Sequence, residues 1–173
     1  MKRWADTILL VRLGRLKIVS GGQTGVDRAA LDVALQLGLP CGGWCPKGRR
    51  AEDGPIDSRY PLRETPTPEY AERTEWNVRD SDGTLVLTRG FPTGGTAFTI
   101  EVAAAYRRPC LVVDLLRPTP PAVVWEWIRK ERICVLNIAG PRAEGNPGLY
   151  EQAKDYLMML FGAGGRVGAR GGT

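Results

Sequence analysis

Histidine is absent from the 173 residues, which excludes Ser–His and Cys–His nucleophiles and any His-ligated metal. Cysteine is scarce, at four. Cys41 and Cys45 are four apart rather than in a C-x-x-C pair, and no second pair completes a site, so no zinc is expected. Cys110 and Cys134 fall in apolar segments expected to be buried strands, where a free thiol behaves as a small hydrophobe. The apolar run at 8–11 is too short for a signal peptide or a membrane span. A cytoplasmic protein with no membrane partner is the expectation. There is also no concentrated charge of one sign: a net +5 spread along the chain suits a small anionic ligand but does not call for nucleic acid. Arg166 and Arg170 sit among glycines as in RNA-stacking tails, yet an unstructured terminus is the simpler expectation.

Glycine, by contrast, is abundant at 22, in a chain that is 43% apolar and 25% charged. That length and composition fit one domain with a substantial core, placed at 17–161 between an N-terminal extension (1–16) and a Gly-rich tail (162–173). Ile18 and Val19 end a first apolar strand. Val26, Ala29, Ala30, Val33, Ala34 and Leu37 then recur at helical spacing, predicting a helix over 25–37 with Thr24 as N-cap and Asp27 as its capping-box partner. A strand at 39–44 follows, then a long loop over 45–68, rich in Pro, Gly and charge, with only 59–64 extended. Helices are expected at 70–82, 96–108, 120–130 and from Asn146–Pro147 onward, with strands at 84–87, 110–113 and 133–136 between them. Strands alternating with helices predict a Rossmann-like, doubly wound α/β fold, its mainly parallel sheet covered by helices on both faces.

Three strand-to-helix loops are glycine-rich: "SGGQTG" (20–25), "PTGGT" (92–96) and "AGPRAEGNPG" (139–148). In a parallel sheet such loops share the edge beyond the carboxyl ends of the strands, where ligands bind. Glycine lets the backbone approach a ligand, and the following helix presents unpaired N–H groups. Gly21, Gly22, Gln23, Thr24 and Gly25 in the first loop and Thr93, Gly94, Gly95 and Thr96 in the second are therefore candidate anion contacts. None of the three loops has the dinucleotide fingerprint or the lysine of a P-loop, so no NAD is expected. Asp27, Lys47 and Arg142 are further candidates, with Arg28 at the rim; Arg142 has the fork suited to an oxyanion.

The segments "IVSGGQTGVDRAALDVAL", "GGWCPKGRRAEDG", "ERTEWNVRDSDGTLVL", "PTGGTAFTIEVA" and "GPRAEGNPGLYEQA" resemble the molybdenum-cofactor carrier family of the SLOG superfamily, beside YpsA-like proteins, over about 17–160. The resemblance implies a compact α/β fold, a dimer or tetramer, molybdenum cofactor or a nucleotide as the ligand, and molybdoenzymes as partners. The wider superfamily includes phosphoribohydrolases, once labelled lysine decarboxylases, with an Arg on one helix and the pattern P-G-G-x-G-T-x-x-E. By that similarity Arg73 and Glu101 would be catalytic if the chain is an enzyme. Thr93, Ala97 and Phe98 depart from the pattern where its proline, third glycine and threonine stand.

Three readings follow: a carrier binding a phosphorylated pterin or nucleotide; a phosphoribohydrolase cleaving the N-glycosidic bond of a nucleoside monophosphate through Arg73 and Glu101; and a nucleotide-sensing domain. The small-residue segment "EVAAAYRR", with Trp125 and Trp127, offers surfaces for self-association.

Overall fold

A computed structural model describes residues 16–162. The N-terminal extension through residue 15 and the tail from residue 163, with Arg166 and Arg170, lie outside the described residues. Among the described residues nine short strands and five α-helices follow one another: β1 (Lys17–Val19), α1 (Val26–Leu37), β2 (Cys41–Gly42), β3 (Trp44–Cys45), β4 (Arg50–Ala51), β5 (Gly54–Pro55), β6 (Arg63–Glu64), α2 (Tyr70–Arg79), β7 (Gly83–Thr88), α3 (Gly94–Ala105), β8 (Cys110–Asp114), α4 (Pro121–Lys130), β9 (Val135–Ala139) and α5 (Leu149–Gly162). The main sheet has the order β2-β1-β9-β7-β8, parallel throughout. The α/β architecture is as expected. Among the described residues, no helix is long and apolar enough to cross a membrane.

One face of the sheet meets α1, α4 and α5 around Ile18, Leu85, Leu87, Leu136 and Ile138. The other meets α2 and α3, which share a smaller cluster of Val78, Val102 and Ala103. The chain therefore leaves β1 toward one face and β7 toward the opposite face, with β9 between them. Such a divergence opens a crevice at the carboxyl ends of the strands.

Several local expectations change. The second strand divides at Gly43, because Asn77 of α2 accepts the Trp44 N–H and donates to the Trp44 carbonyl, each at 2.8 Å, so β3 leaves the sheet. β9 begins at Val135 and runs to Ala139, since the Asp82 carboxylate caps the amides of Cys134 and Val135 (3.0 and 2.8 Å) and Asn137 finds Thr84 as a buried partner at 3.2 Å. Cys134 is consequently exposed and outside the strand; Cys45 is the buried cysteine and Cys110 is half-buried. α5 starts at Leu149 without an Asn146 cap, because the Asn146 amide instead closes its own loop onto the carbonyls of Arg142 and Glu144. Trp125 and Trp127 are half-buried against the main core, and the Trp125 indole donates to the Leu160 carbonyl at 2.9 Å. Both pack into the domain's own core rather than standing free of it.

The 45–68 segment is a folded flap rather than a plain surface loop. Its own core is Cys45, Ala51, Ile56 and Tyr60 against Leu31 of α1. Arg49 gathers it by donating to the carbonyls of Ile56, Asp57, Tyr60 and Leu62. The Tyr60 and Tyr150 hydroxyls converge on Asp32, both at 2.7 Å, joining flap, α1 and α5.

Candidate functional site

A cleft of about 510 Å³ opens at the divergence of β1, β9 and β7. That volume lies within the range of small-molecule sites. At its floor, Arg73 in the first turn of α2 meets Asp27 in the first turn of α1, Nη1 to Oδ2 at 2.7 Å. Both are buried, with 9% and 5% of their surface exposed, and among the described residues the Arg73 Nε–H has no partner. Burial raises the Asp27 carboxyl above its ordinary value; the Arg73 charge works in the opposite direction.

The glycines of the first loop serve this pair and the neighbouring loops. A Cβ on Gly21 would fall 1.6 Å from Arg73 Nη1, so glycine is there to admit an arginine. At Gly25 (φ 78°) a Cβ would fall 2.5 Å from the Pro141 carbonyl oxygen, and that oxygen takes the Val26 N–H at 3.2 Å. Gly25, rather than Thr24, caps α1. Thr24 instead accepts the Ala143 N–H at 3.1 Å and donates to Glu52 at the tip of the β4–β5 hairpin. Gln23 Oε1 accepts the N–H groups of Thr24 and Glu52, both at 3.0 Å. The N-terminus of α1 is thus closed by the protein's own groups, contrary to the expected anion cradle there.

The second loop is different. α3 begins at Gly94, and Thr93 precedes it without a side-chain cap bond. Its carbonyl takes the N–H groups of Thr96 and Ala97. Space beside Gly94 and Gly95 is open: a Cβ on either would meet nothing within 4 Å. This helix N-terminus faces the cleft with its first amides clear, the arrangement that attracts an anion.

Of the residues expected to bind a ligand, Gly21, Gln23, Asp27, Thr93, Gly94, Gly95, Thr96 and Arg142 line the cleft, as does Arg73. Gly22, Thr24 and Gly25 do not; Gly22 packs against Ile56 and Leu62 of the flap. Lys47 is exposed on the flap outside the lining, its N–H bonded to the Thr67 carbonyl. Arg28 makes a two-pronged contact with Asp53, at 3.0 and 3.1 Å, and is also outside. Glu101 is exposed on the outer face of α3, away from the cleft and from Arg73. The expected Arg73–Glu101 pair is replaced by Arg73–Asp27. The reason is helical phase: Thr99 and Ala103 point inward, and Glu101 lies roughly 200° around the helix from each.

Arg89, Phe91 and Asn137 also line the cleft and did not stand out in the sequence. Arg89 could have been suspected from "TRGFPTGG"; Asn137 reads as a loop residue, because an asparagine inside a buried strand carries no pattern signal. Counting charges, Arg73, Arg89 and Arg142 face Asp27 and Glu144, three positive against two negative. Arg142 is half-exposed and lies 3.8 Å from Glu52 and 3.7 Å from Glu144, too far for hydrogen bonds, leaving its donors available. No cysteine lines the cleft, and burial pushes the Cys110 thiol up to about 11.

A solved structure of "Putative molybdenum carrier protein" from Syntrophus aciditrophicus SB aligns at 47% identity with a TM-score of 0.81, covering 85% of this chain and 95% of that one. (E)-4-Hydroxy-3-methyl-but-2-enyl diphosphate reductase aligns at 12% identity and a TM-score of 0.36, over 90% of this chain and 64% of that one, which is too loose a likeness to carry an argument. No curated protein sequence matches. With the fold, the divergent β1 and β7 crossovers and the glycine loops in place, the match over residues 18–161 completes the assignment: the chain belongs to the circularly permutated YpsA SLOG family.

Proposed function

We propose that this protein binds and carries a small phosphorylated ligand, a pterin of the molybdenum-cofactor type or a nucleotide, with the phosphate on the Gly94 and Gly95 amides. The observation that carries this reading is the open N-terminus of α3 in the same cleft as a buried arginine with an unpartnered Nε. The 47%-identical relative is named a putative molybdenum carrier protein, which supports a molybdenum-bearing cargo. Among the described residues the cleft offers no thiol or imidazole, and its carboxylates are Asp27, already engaged by Arg73, and Glu144. Cargo would therefore be held through its phosphate and ring, not through its metal.

Titration with guanosine monophosphate, a pterin phosphate and molybdate tests this. A phosphorylated ligand at ~100 times its Kd adds about 2.7 kcal/mol of stability, whereas molybdate alone, an oxyanion with no ring to hold, should add less. Gly95→Ala should leave the fold intact, or stabilise it by up to ~1 kcal/mol through helix propensity, yet lose most of the ligand shift. Equal shifts in the variant and the parent would place the phosphate elsewhere.

A second reading, cleavage of a nucleoside monophosphate, is favoured by one observation only: Asp27, a carboxylate of raised pKa, adjoins Arg73. It would need Asp27 in place of Glu101, and free base released from the same nucleotide would decide for it.

Self-association is part of the proposal. Tyr106 at the end of α3 and Val112 on the edge strand β8 are exposed, 39% each, and Ala104 and Ala105 beside them are exposed too. Light scattering at micromolar concentration should give a multiple of 18.9 kDa; the chain mass alone would contradict a dimer or tetramer.

A further inference from the structure

Phe91 is 90% exposed, more than any other large apolar side chain among the described residues, and it lines the cleft. Leaving such a ring in water forgoes the stabilisation its burial would give. The loop holds it there by construction. Gly90 (φ 71°) donates its N–H to Asp114 Oδ1 at 2.9 Å, its carbonyl accepts the Thr88 hydroxyl at 3.3 Å, and Pro92 follows. Two residues, Pro92 and Thr93, separate Phe91 from Gly94, at most about 11 Å of chain. Ring and open α3 amides therefore stand within one small molecule's length, and the buried Arg73 with its unpartnered Nε lines the same cleft.

We infer that Phe91 is the stacking platform for the ligand's planar heteroaromatic ring, selecting ring-bearing phosphates over bare sugar phosphates. The inference rests on the phosphate-binding reading above and adds the determinant that reading lacks. Aromatic faces accept any flat base, so Phe91 reads planarity and leaves identity to the polar groups of the cleft. Tyr70 and Phe98 also line the cleft but are half-buried, whereas Phe91 stands free of its neighbours; Leu116, also exposed, does not line the cleft.

The test compares the full-length protein with Phe91→Ala and Phe91→Trp, titrated with guanosine monophosphate, a pterin phosphate and ribose 5-phosphate. Phe91→Ala should weaken whichever ring-bearing phosphate binds by about tenfold or more, the effect of one lost stack. Ribose 5-phosphate should change less than about twofold, and Phe91→Trp should restore the ring-bearing ligand. A preference for one ring-bearing ligand separates a pterin from a nucleobase as the natural ring. Equal weakening of all three ligands, or of none, overturns the inference while leaving the phosphate site standing. A lower mass for Phe91→Ala by light scattering, with ligand affinities unchanged, assigns Phe91 to contacts between copies and also overturns it. No binding of any of the three to the parent protein brings down the phosphate-site reading, and the inference with it.

Discussion

Arg73→Met is expected to destabilise the protein by about 3 kcal/mol, and Asp27→Asn by less. Removing one member of a buried ion pair leaves an uncompensated charge, which costs about 3–5 kcal/mol. The side chains of this pair are 7% and 11% exposed at the cleft floor, so the lower end applies. The two partners are not equivalent. Arginine cannot shed its proton in a protein, whereas a buried carboxyl can take one up and become neutral. Arg73→Met therefore relaxes only by proton uptake at Asp27, whereas Asp27→Asn keeps an oxygen that accepts from Arg73 and removes the carboxylate whose burial is unfavourable. The double variant should recover much of the loss, because an apolar replacement of both charges is often neutral. Its coupling energy, read from a double-mutant cycle, should exceed about 1 kcal/mol.

The pH dependence separates the variants further. A carboxyl whose pKa is raised on folding binds more protons in the folded chain than in the unfolded one between the two values. Its stabilising contribution is complete below the ordinary value of 3.8 and is lost as pH rises through the folded value. Without Arg73 the Asp27 carboxyl rises higher still, since the arginine charge is what opposes the burial effect. On lowering the pH from 7 toward 4, the deficit of Arg73→Met should shrink. That of Asp27→Asn should grow, because the parent gains from protonation and the asparagine cannot. Urea midpoints at several pH values measure both trends; parallel curves for the two variants would show that Asp27 is not held above its ordinary range.

How much of this was legible in the sequence depends on how local each cause is. The doubly wound sheet follows from apolar strands alternating with helical periodicity, and every main-sheet strand falls within a few residues of its expected place. The convergence of three glycine loops on one edge follows from topology alone. What each glycine is for does not. Gly21, Gly25 and Gly94 look alike in sequence, yet one admits Arg73, one admits the backbone at Pro141, and one stands beside open space. Those differences arise from partners some 50 and 120 positions away. The flap shows the same limit: its Pro-, Gly- and charge-rich composition reads as a loop, because Arg49 organises it by bonding four main-chain carbonyls, and main-chain acceptors carry no residue signature. Glu101 was misplaced by motif spacing, since a spacing fixes distance along a helix but not which face is buried, and burial here is set by Thr96, Thr99 and Ala103.

The two glycines that bracket α1 give the second large effect. Gly25 precedes the helix at φ 78°, ψ −128°, a backbone region that strongly favours glycine, and Gly38 follows it at φ 67°, ψ 26°, in the left-handed helical region, so an alanine bears about 1 kcal/mol of backbone penalty at Gly38 and more at Gly25. Their surroundings differ. A Cβ at Gly38 meets nothing within 4 Å, while at Gly25 it would lie 2.5, 2.8 and 2.9 Å from Pro141 O, Arg142 C and Ala143 N. Those are main-chain atoms, which cannot swing aside as a side-chain end can. Gly38→Ala should therefore cost about 1 kcal/mol, and Gly25→Ala about 2–4 kcal/mol once the forced shift of the β9–α5 loop is added. The shift should also reach the site. It would pull Ala143 from Thr24 and Glu144 from Glu52, whose N–H bonds are 3.1 Å each, and it would carry Arg142 away from the cleft rim. Gly25→Ala should then bind a phosphorylated ligand more weakly than Gly38→Ala at equal folded fraction. Urea titration gives the first comparison and calorimetry on the folded variants the second. If the two alanines cost the same, the contact between the first and third glycine loops is not what fixes Gly25, and the closed state of the α1 N-terminus must be held by Gln23, Thr24 and Glu52 alone.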